Sequence, residues 1–293
     1  MSERIGVIAA IVSCAAGGAA AVATRFVIGA VDPITIAAFR FGLGFAVLLP
    51  LTLALRSRWP SGHDWIGVAL LGLMFFGLFF VLYNISLSHT TTARGTLALS
   101  VLPLVTMAVA ALLGVERLTA RKSTGVVVAV LGVAATLAAG LGDAPEGAWR
   151  GDLIMVGATL CMALYSIWSR PYVRRSSPLA FVTAGMGCGA LCLVVVAAWS
   201  GGFVVARQFD WAQWLAIFYL GAGGGALAFY LWVFALERAS PTRVANTMTV
   251  NPVVSSVLAA WLLGEPLGFH IAAGIAAVGA GIWIATVEPR SAT

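Results

Sequence analysis

The chain is written as long apolar runs separated by short polar breaks. The runs fall at roughly residues 5–28, 34–55, 65–88, 93–113, 122–140, 151–170, 178–199, 211–236, 243–263 and 269–287. Each is close to the roughly 20 residues that an α-helix needs to cross a hydrocarbon layer about 30 Å thick. The breaks carry residues that punctuate helices: Asp32-Pro33, Trp59-Pro60-Ser61-Gly62, Gly142-Asp143-Ala144-Pro145 and Ser176-Ser177-Pro178. The pattern predicts an all-α integral membrane protein of about ten transmembrane helices. The first run, Ile5 to Ala23 behind Arg4, has the outline of a signal peptide, with Ala19-Ala20-Ala21 suited to cleavage. The repeat described below needs it as a retained first helix.

Composition agrees with this pattern. Hydrophobic residues make up 61% of the 293 and charged residues 10%, against about 25% charged in soluble domains. No long polar segment suggests a separate soluble domain. The net charge of +6 comes from basic residues set singly or in small groups between apolar runs, not from a clustered basic face, so no nucleic-acid partner is expected. With the N-terminus inside, twelve basic residues, among them Arg56, Arg58, Arg121, Lys122, Arg174 and Arg175, fall at cytoplasmic ends. Four fall at the opposite ends (Arg25, Arg94, Arg150 and Arg207), and Arg40 lies within a span. The positive-inside rule then puts both termini in the cytoplasm. Cys14, Cys161, Cys188 and Cys192 all sit in apolar segments and read as small core residues, with no neighbouring His or carboxylate to complete a metal site. No metal or cofactor is expected.

The chain also matches itself. Gly6, Arg25, Pro33, Gly42 and Gly44 recur 145 residues later as Gly151, Arg170, Pro178, Gly187 and Gly189. Beyond the second span the offset becomes 149, and Trp65, Gly72, Arg94, Pro103, Glu116, Leu118, Gly125 and Gly132 recur as Trp214, Gly221, Arg243, Pro252, Glu265, Leu267, Gly274 and Gly281. Apolar segments give chance matches of Ala, Leu and Gly, but matched Arg, Pro, Trp and Glu in one register are much harder to obtain by chance. The halves, residues 1–141 and 150–288, hold five spans each. An odd number makes the second half enter from the opposite side, an inverted 5+5 repeat of the kind many secondary transporters use.

The motif Arg94–Pro103–Glu116-Arg117-Leu118, followed by Gly125 and Gly132, and its second copy Arg243–Pro252–Glu265-Pro266-Leu267, followed by Gly274 and Gly281, resemble the EamA type of the drug/metabolite transporter superfamily. Arg40-Phe41 also looks like the family pattern, and the resemblance covers essentially the whole chain. It implies a multi-pass protein of the bacterial cytoplasmic (inner) membrane that is not an enzyme. Its partners would be the lipid bilayer and a small-molecule substrate carried by alternating access, and it would work as a monomer. Bacterial amino-acid exporters are the nearest kind within it, with a proton-coupled multidrug or other metabolite exporter as the alternative. The cavity it implies is lined by the first, third, fourth, sixth, eighth and ninth spans.

Candidate substrate-binding residues follow from polar and aromatic groups at lipid depth. In the fourth span Thr96 and Ser100 share a face with Pro103; in the ninth Thr249 shares one with Pro252, and Asn246 and Asn251 lie alongside. Such hydroxyls either hydrogen-bond between helices or line a cavity. Asn84 joins this set. Tyr83 and Trp232 are repeat partners, whereas Tyr165 and Trp168 answer to Ala20 and Ala23, which predicts one small and one aromatic wall. Pro103 and Pro252 are candidate hinges, because proline removes a backbone donor and clashes with the carbonyl four residues earlier. Arg40 suits either a structural or a gating role. Gly221-Ala222-Gly223-Gly224-Gly225 lacks the Lys-Ser/Thr of a phosphate loop and reads as close helix packing. All eleven carboxylates lie outside spans or near their ends, which argues against cationic substrates.

Overall fold

The computed structural model describes residues 2–115, 120–139, 144–265 and 268–286. Glu116, Arg117, Leu118, Gly142, Asp143, Pro266, Leu267, Glu288 and Arg290, and the expected half boundaries at 141 and 288, lie outside the described residues. So do the side chains of Arg121 and Lys122.

Ten long helices follow one another along the described residues: α1 (Ser2–Val27), α2 (Pro33–Ala54), α3 (Asp64–His89), α4 (Thr92–Leu112) and α5 (Ala120–Ala139), then α6 (Ala148–Arg175), α7 (Pro178–Trp199), α8 (Trp211–Arg238), α9 (Pro241–Asn246 and Val250–Leu263) and α10 (Phe269–Thr286). Seven of them, α1 to α4 and α6 to α8, are long and apolar enough to cross a membrane. The largest departure from the predicted spans is α6, which continues through Pro171 to Arg175. Large apolar side chains such as Leu112, Trp199 and Phe269 stand fully out from the bundle, as lipid-facing residues do.

The polar breaks work as caps. Asp32 Oδ1 accepts from the backbone of Ile34 and Thr35, both at 3.0 Å, with Pro33 at the first turn of α2. Ser177 and Pro178 repeat the device at α7. Thr91 caps α4 by accepting from Arg94 N, and Ser240 caps α9 by accepting from Arg243 N. Side-chain oxygens at these positions satisfy amides left without intrahelical partners, which lipid would not.

Packing follows the repeat. Helix α1 lies against α8 and α9, and α6 lies against α3 and α4; α2 pairs with α7, and α5 with α10. The glycines show how closely the halves correspond. A Cβ added at Gly151 would meet Ser86, His89 and Thr90; one added at Gly6 would meet Ala235 and Arg238, which the offset of 149 assigns to Ser86 and His89. A Cβ at Gly189 would lie 3.0 Å from Gly72 O and 3.3 Å from Gly77 N; one at Gly44 would lie 3.3 Å from Gly221 O and 3.4 Å from Ala226 N. Without a hydrophobic force between helices in lipid, such backbone approach supplies the van der Waals contact that holds them together.

Two irregularities recur in register. Helices α3 and α8 each contain a π-helical stretch, Leu73–Phe79 and Ala222–Leu227. Helices α4 and α9 each break one turn before proline: α4 at Ser100 and Val101, α9 in the 3₁₀ turn Thr247–Thr249. The ring of Pro103 or Pro252 blocks the carbonyl four residues back, and the chain accommodates this by tightening the preceding turn.

Candidate functional site

The four irregular segments converge on a buried cavity. Its walls are Ser13, Cys14 and Gly17 of α1, Arg40 of α2, Phe79, Phe80 and Tyr83 of α3, Leu99 of α4 and Met162 of α6. Gly224, Ala228, Phe229 and Trp232 of α8 and Met248 and Asn251 of α9 complete them. Both halves contribute. Leu99 and Met248 are the residues whose carbonyls face Pro103 and Pro252 in sequence. The cavity measures about 40 Å³, room for a few water molecules, since one needs roughly 10–15 Å³ of such space. A larger solute enters only if wall side chains move.

Small residues on α1 let it approach the opposite wall. Ser13 Oγ donates to Ala228 O at 2.7 Å, and Cys14 Sγ lies 3.2 Å from Thr247 Oγ1. A Cβ at Gly18 would come within 2.7 Å of Asn251 O, and one at Gly17 within 3.0 Å of the Asn251 amide. The opposite wall is aromatic. Phe41 and Phe80 ring centroids are 4.6 Å apart, Phe75 stacks on Tyr165 at 4.2 Å, and Phe229 meets Phe80 edge-on at 5.4 Å. The repeat predicts the aromatic wall on α6, opposite a small α1; the wall aromatics come instead from α3 and α8, and α6 contributes Met162.

Arg40 is the charged residue in this wall, and it is 3% exposed. Its Nη2 donates to Gly224 O at 2.8 Å, and its guanidinium lies 4.6 Å from the Phe80 ring centroid. The π-helical stretch explains why that carbonyl is available: the Ala228 amide bonds to Gly223 O and Gly225 O and passes over Gly224. Arg40 Nε and Nη1, Trp232 Nε1 and Asn251 Oδ1 are buried without a hydrogen-bond partner among the described residues. No carboxylate is among the cavity-lining residues.

Of the residues singled out from sequence, Tyr83, Trp232, Asn251 and Arg40 lie in the wall. The others sit around it. Thr96 Oγ1 shares a 2.7 Å hydrogen bond with Ser255 Oγ, tying α4 to α9, and Ser100 Oγ donates to Thr96 O. Asn84 Nδ2 donates to Pro33 O at 2.8 Å, near the start of α2. Tyr165 is packed behind the wall against Phe75. Thr249 Oγ1 donates to the Asn246 carbonyl within the 3₁₀ turn, and both residues are half-buried. Trp168 is 44% exposed on the outer surface of α6. Sequence reasoning missed Ser13, Cys14 and Met162, whose residue types match ordinary core. It left Arg40 between a structural and a gating role, although an intramembrane cation was itself a signal.

The two ends of the bundle are closed differently. At the end where α1 finishes, Glu265 accepts from Thr92 N and Oγ1 at 3.0 and 3.1 Å and lies 3.5 Å from Arg25 Nε. Beside it Arg94 Nη2 meets Asp152 at 2.5 Å and donates to Leu137 O, while Thr90 Oγ1 donates to the same carboxylate. At the end where α1 begins, the repeat partner of Arg94, Arg243, pairs with Glu3. That pair is 60% and 49% exposed, against 3% and 8% for Arg94 and Asp152.

Comparison with known proteins agrees with this architecture. The chain is 24% identical to YyaM, an uncharacterized transporter of Bacillus subtilis, over 83% of this chain and 81% of that one. It is 29% identical to the aromatic amino acid exporter YddG of Ancylobacter novellus, over 78% and 79%. A solved crystal structure shares the fold with a TM-score of 0.69 at 22% identity, over 97% of this chain and 96% of its own. The EamA-like transporter family matches twice, over residues 4–138 and 149–287. The two matches span both halves of the chain, which is a transport protein and belongs to the EamA-like transporter family.

Proposed function

We propose that this transporter exports small neutral or zwitterionic metabolites, amino acids foremost, across the bacterial cytoplasmic membrane by alternating access. The observation that carries this reading is the cavity itself. It lies where both halves meet and is bounded by the broken segments of α4 and α9 and the π-helical stretches of α3 and α8. Aromatic walls from Phe79, Phe80, Tyr83, Phe229 and Trp232 suit a large apolar or aromatic side chain, and Tyr83 and Trp232 would touch it directly. The name of the YddG relative points the same way. Both termini lie in the cytoplasm in this reading, supported by the twelve-to-four distribution of basic residues. The halves 1–141 and 150–288 move against each other, and a single chain suffices. Asn84, Thr96 and Ser100 hold the surrounding helices in place.

A proton-coupled exporter of cationic drugs is the weaker reading. It needs a deep carboxylate able to hold either a proton or the cation, and the wall offers a cation instead. The test is purified protein in liposomes supplied with labelled phenylalanine. Uptake down the phenylalanine gradient should proceed with no pH gradient and fall on Trp232→Ala. Strict dependence on an imposed pH gradient, or transport of cationic drugs without any amino acid, would overturn the proposal.

A further inference from the structure

Arg40 and its repeat partner have opposite fates. At the equivalent position α7 carries Gly185, which packs directly on the backbone of Gly72 in α3. In α2 the same position carries an arginine that reaches over the aromatic wall to the π-helical stretch of α8. Its place is cleared for it: a Cβ at Gly224 would come within 3.3 Å of Nη2 and would collide with Ala20. One carbonyl bond and the faces of Phe80, Phe41 and Phe229, with centroids 4.6, 5.6 and 5.8 Å away, hold the guanidinium. These contacts attract a cation but do not neutralise it, and two nitrogens keep unpaired N–H groups beside the cavity. Arg94, equally buried, also leaves Nε and Nη1 unpaired, but its charge is met by Asp152. A charge in a low-dielectric surrounding is costly unless paired, and Arg40 meets no carboxylate among the described residues.

We propose that Arg40 is the receptor for the carboxylate of the transported solute. The inference rests on the transport reading and names the group recognised: the defining group on the substrate is a carboxylate, and an α-ammonium is secondary, so that organic anions are admitted beside zwitterions. An incoming carboxylate supplies the missing countercharge and accepts charge-assisted hydrogen bonds from Nε–H and Nη1–H. The unpaired acceptor on the same wall, Asn251 Oδ1, suits an ammonium but brings no charge to it. A solute with a carboxylate and no amine therefore still fits. A solute with an amine and no carboxylate meets a like charge and is rejected.

The test begins with wild-type protein in liposomes and labelled phenylalanine, challenged with three competitors of similar shape. N-acetylphenylalanine and phenylpyruvate keep the carboxylate; phenylalaninamide keeps only the amine. The first two should compete, and the amide should be weaker by about tenfold or more, the usual range for loss of a charge-assisted pair. Arg40→Gln should raise KM for phenylalanine by a similar factor, and Arg40→Lys should recover part of it. Thermal melting in detergent separates binding from folding: the acids, not the amide, should stabilise the wild type, and neither should stabilise Arg40→Gln. Equal competition by amide and acid, or unchanged KM in a normally melting Arg40→Gln protein, would overturn the proposal. If wild-type protein carries no phenylalanine, the amino-acid reading fails by itself. The melting series then still decides the matter: stabilisation by the acids that requires Arg40 upholds the carboxylate receptor, and its absence rejects it.

Discussion

The ion pair between Arg94 and Asp152 is the most deeply buried charge contact among the described residues. Burying two charges costs solvation, and the pair is tolerated because each partner has help, Arg94 from Leu137 O and Asp152 from Thr90 Oγ1. Removing one charge strands the other. Asp152→Asn keeps a hydrogen-bonding side chain of the same size but leaves the guanidinium uncompensated, and should destabilise the fold by roughly 3 kcal/mol. Melting of the detergent-solubilised variant should drop accordingly, and Arg94→Leu combined with Asp152→Leu should regain part of the loss. A variant melting like the wild type would mean the pair is solvated in the membrane-bound protein. Neither this contact nor the destination of Arg40 was legible in the sequence. Asp152 reads as one more carboxylate near a helix end, and the partner that gives it meaning lies 58 residues away. For Arg40 the depth was visible, but the carbonyl and rings it meets belong to other helices.

Among the elements, prolines announced the breaks in α4 and α9, and the structure puts each break in the turn before the proline. The π-helical stretches were not announced. A π-bulge needs no special residue type, and the Gly221–Gly225 run that houses one reads equally well as close packing. Here it does both, since its glycines meet α2 while its skipped carbonyl receives Arg40. Breaks and bulges of this kind loosen a helix without unwinding it, which suits a segment that changes shape around a solute. Pro252→Ala would restore an amide donor at the α9 break. Folded yield should stay nearly intact while turnover falls about fivefold, equivalent to about 1 kcal/mol in the balance between two conformations. Transport per folded molecule is the measurement. Wild-type turnover would leave the break with a packing role only.

For the whole molecule, the inverted repeat was the most legible feature, because matched Arg, Pro, Trp and Glu residues survive in two registers. The structure adds that the interfaces themselves repeat: α1 on α8 and α9 mirrors α6 on α3 and α4. A bundle of equivalent halves has two equivalent ways to close, one at each end. The ends differ here: a buried and a partly buried ion pair lie at the Glu265 end, and the exposed Arg243–Glu3 pair lies at the other. In the proposed alternating-access reading, the halves exchange two closures around the cavity, so that the protein is a carrier and not a pore. Counterflow tests this most directly. Liposomes preloaded with unlabelled phenylalanine and diluted into a trace of labelled phenylalanine should accumulate label transiently above its external concentration. A carrier returns inward loaded with label and outward loaded mostly with unlabelled solute. Label that only rises to equilibrium, at the same rate with or without preloading, would mean a pore and overturn the carrier mechanism.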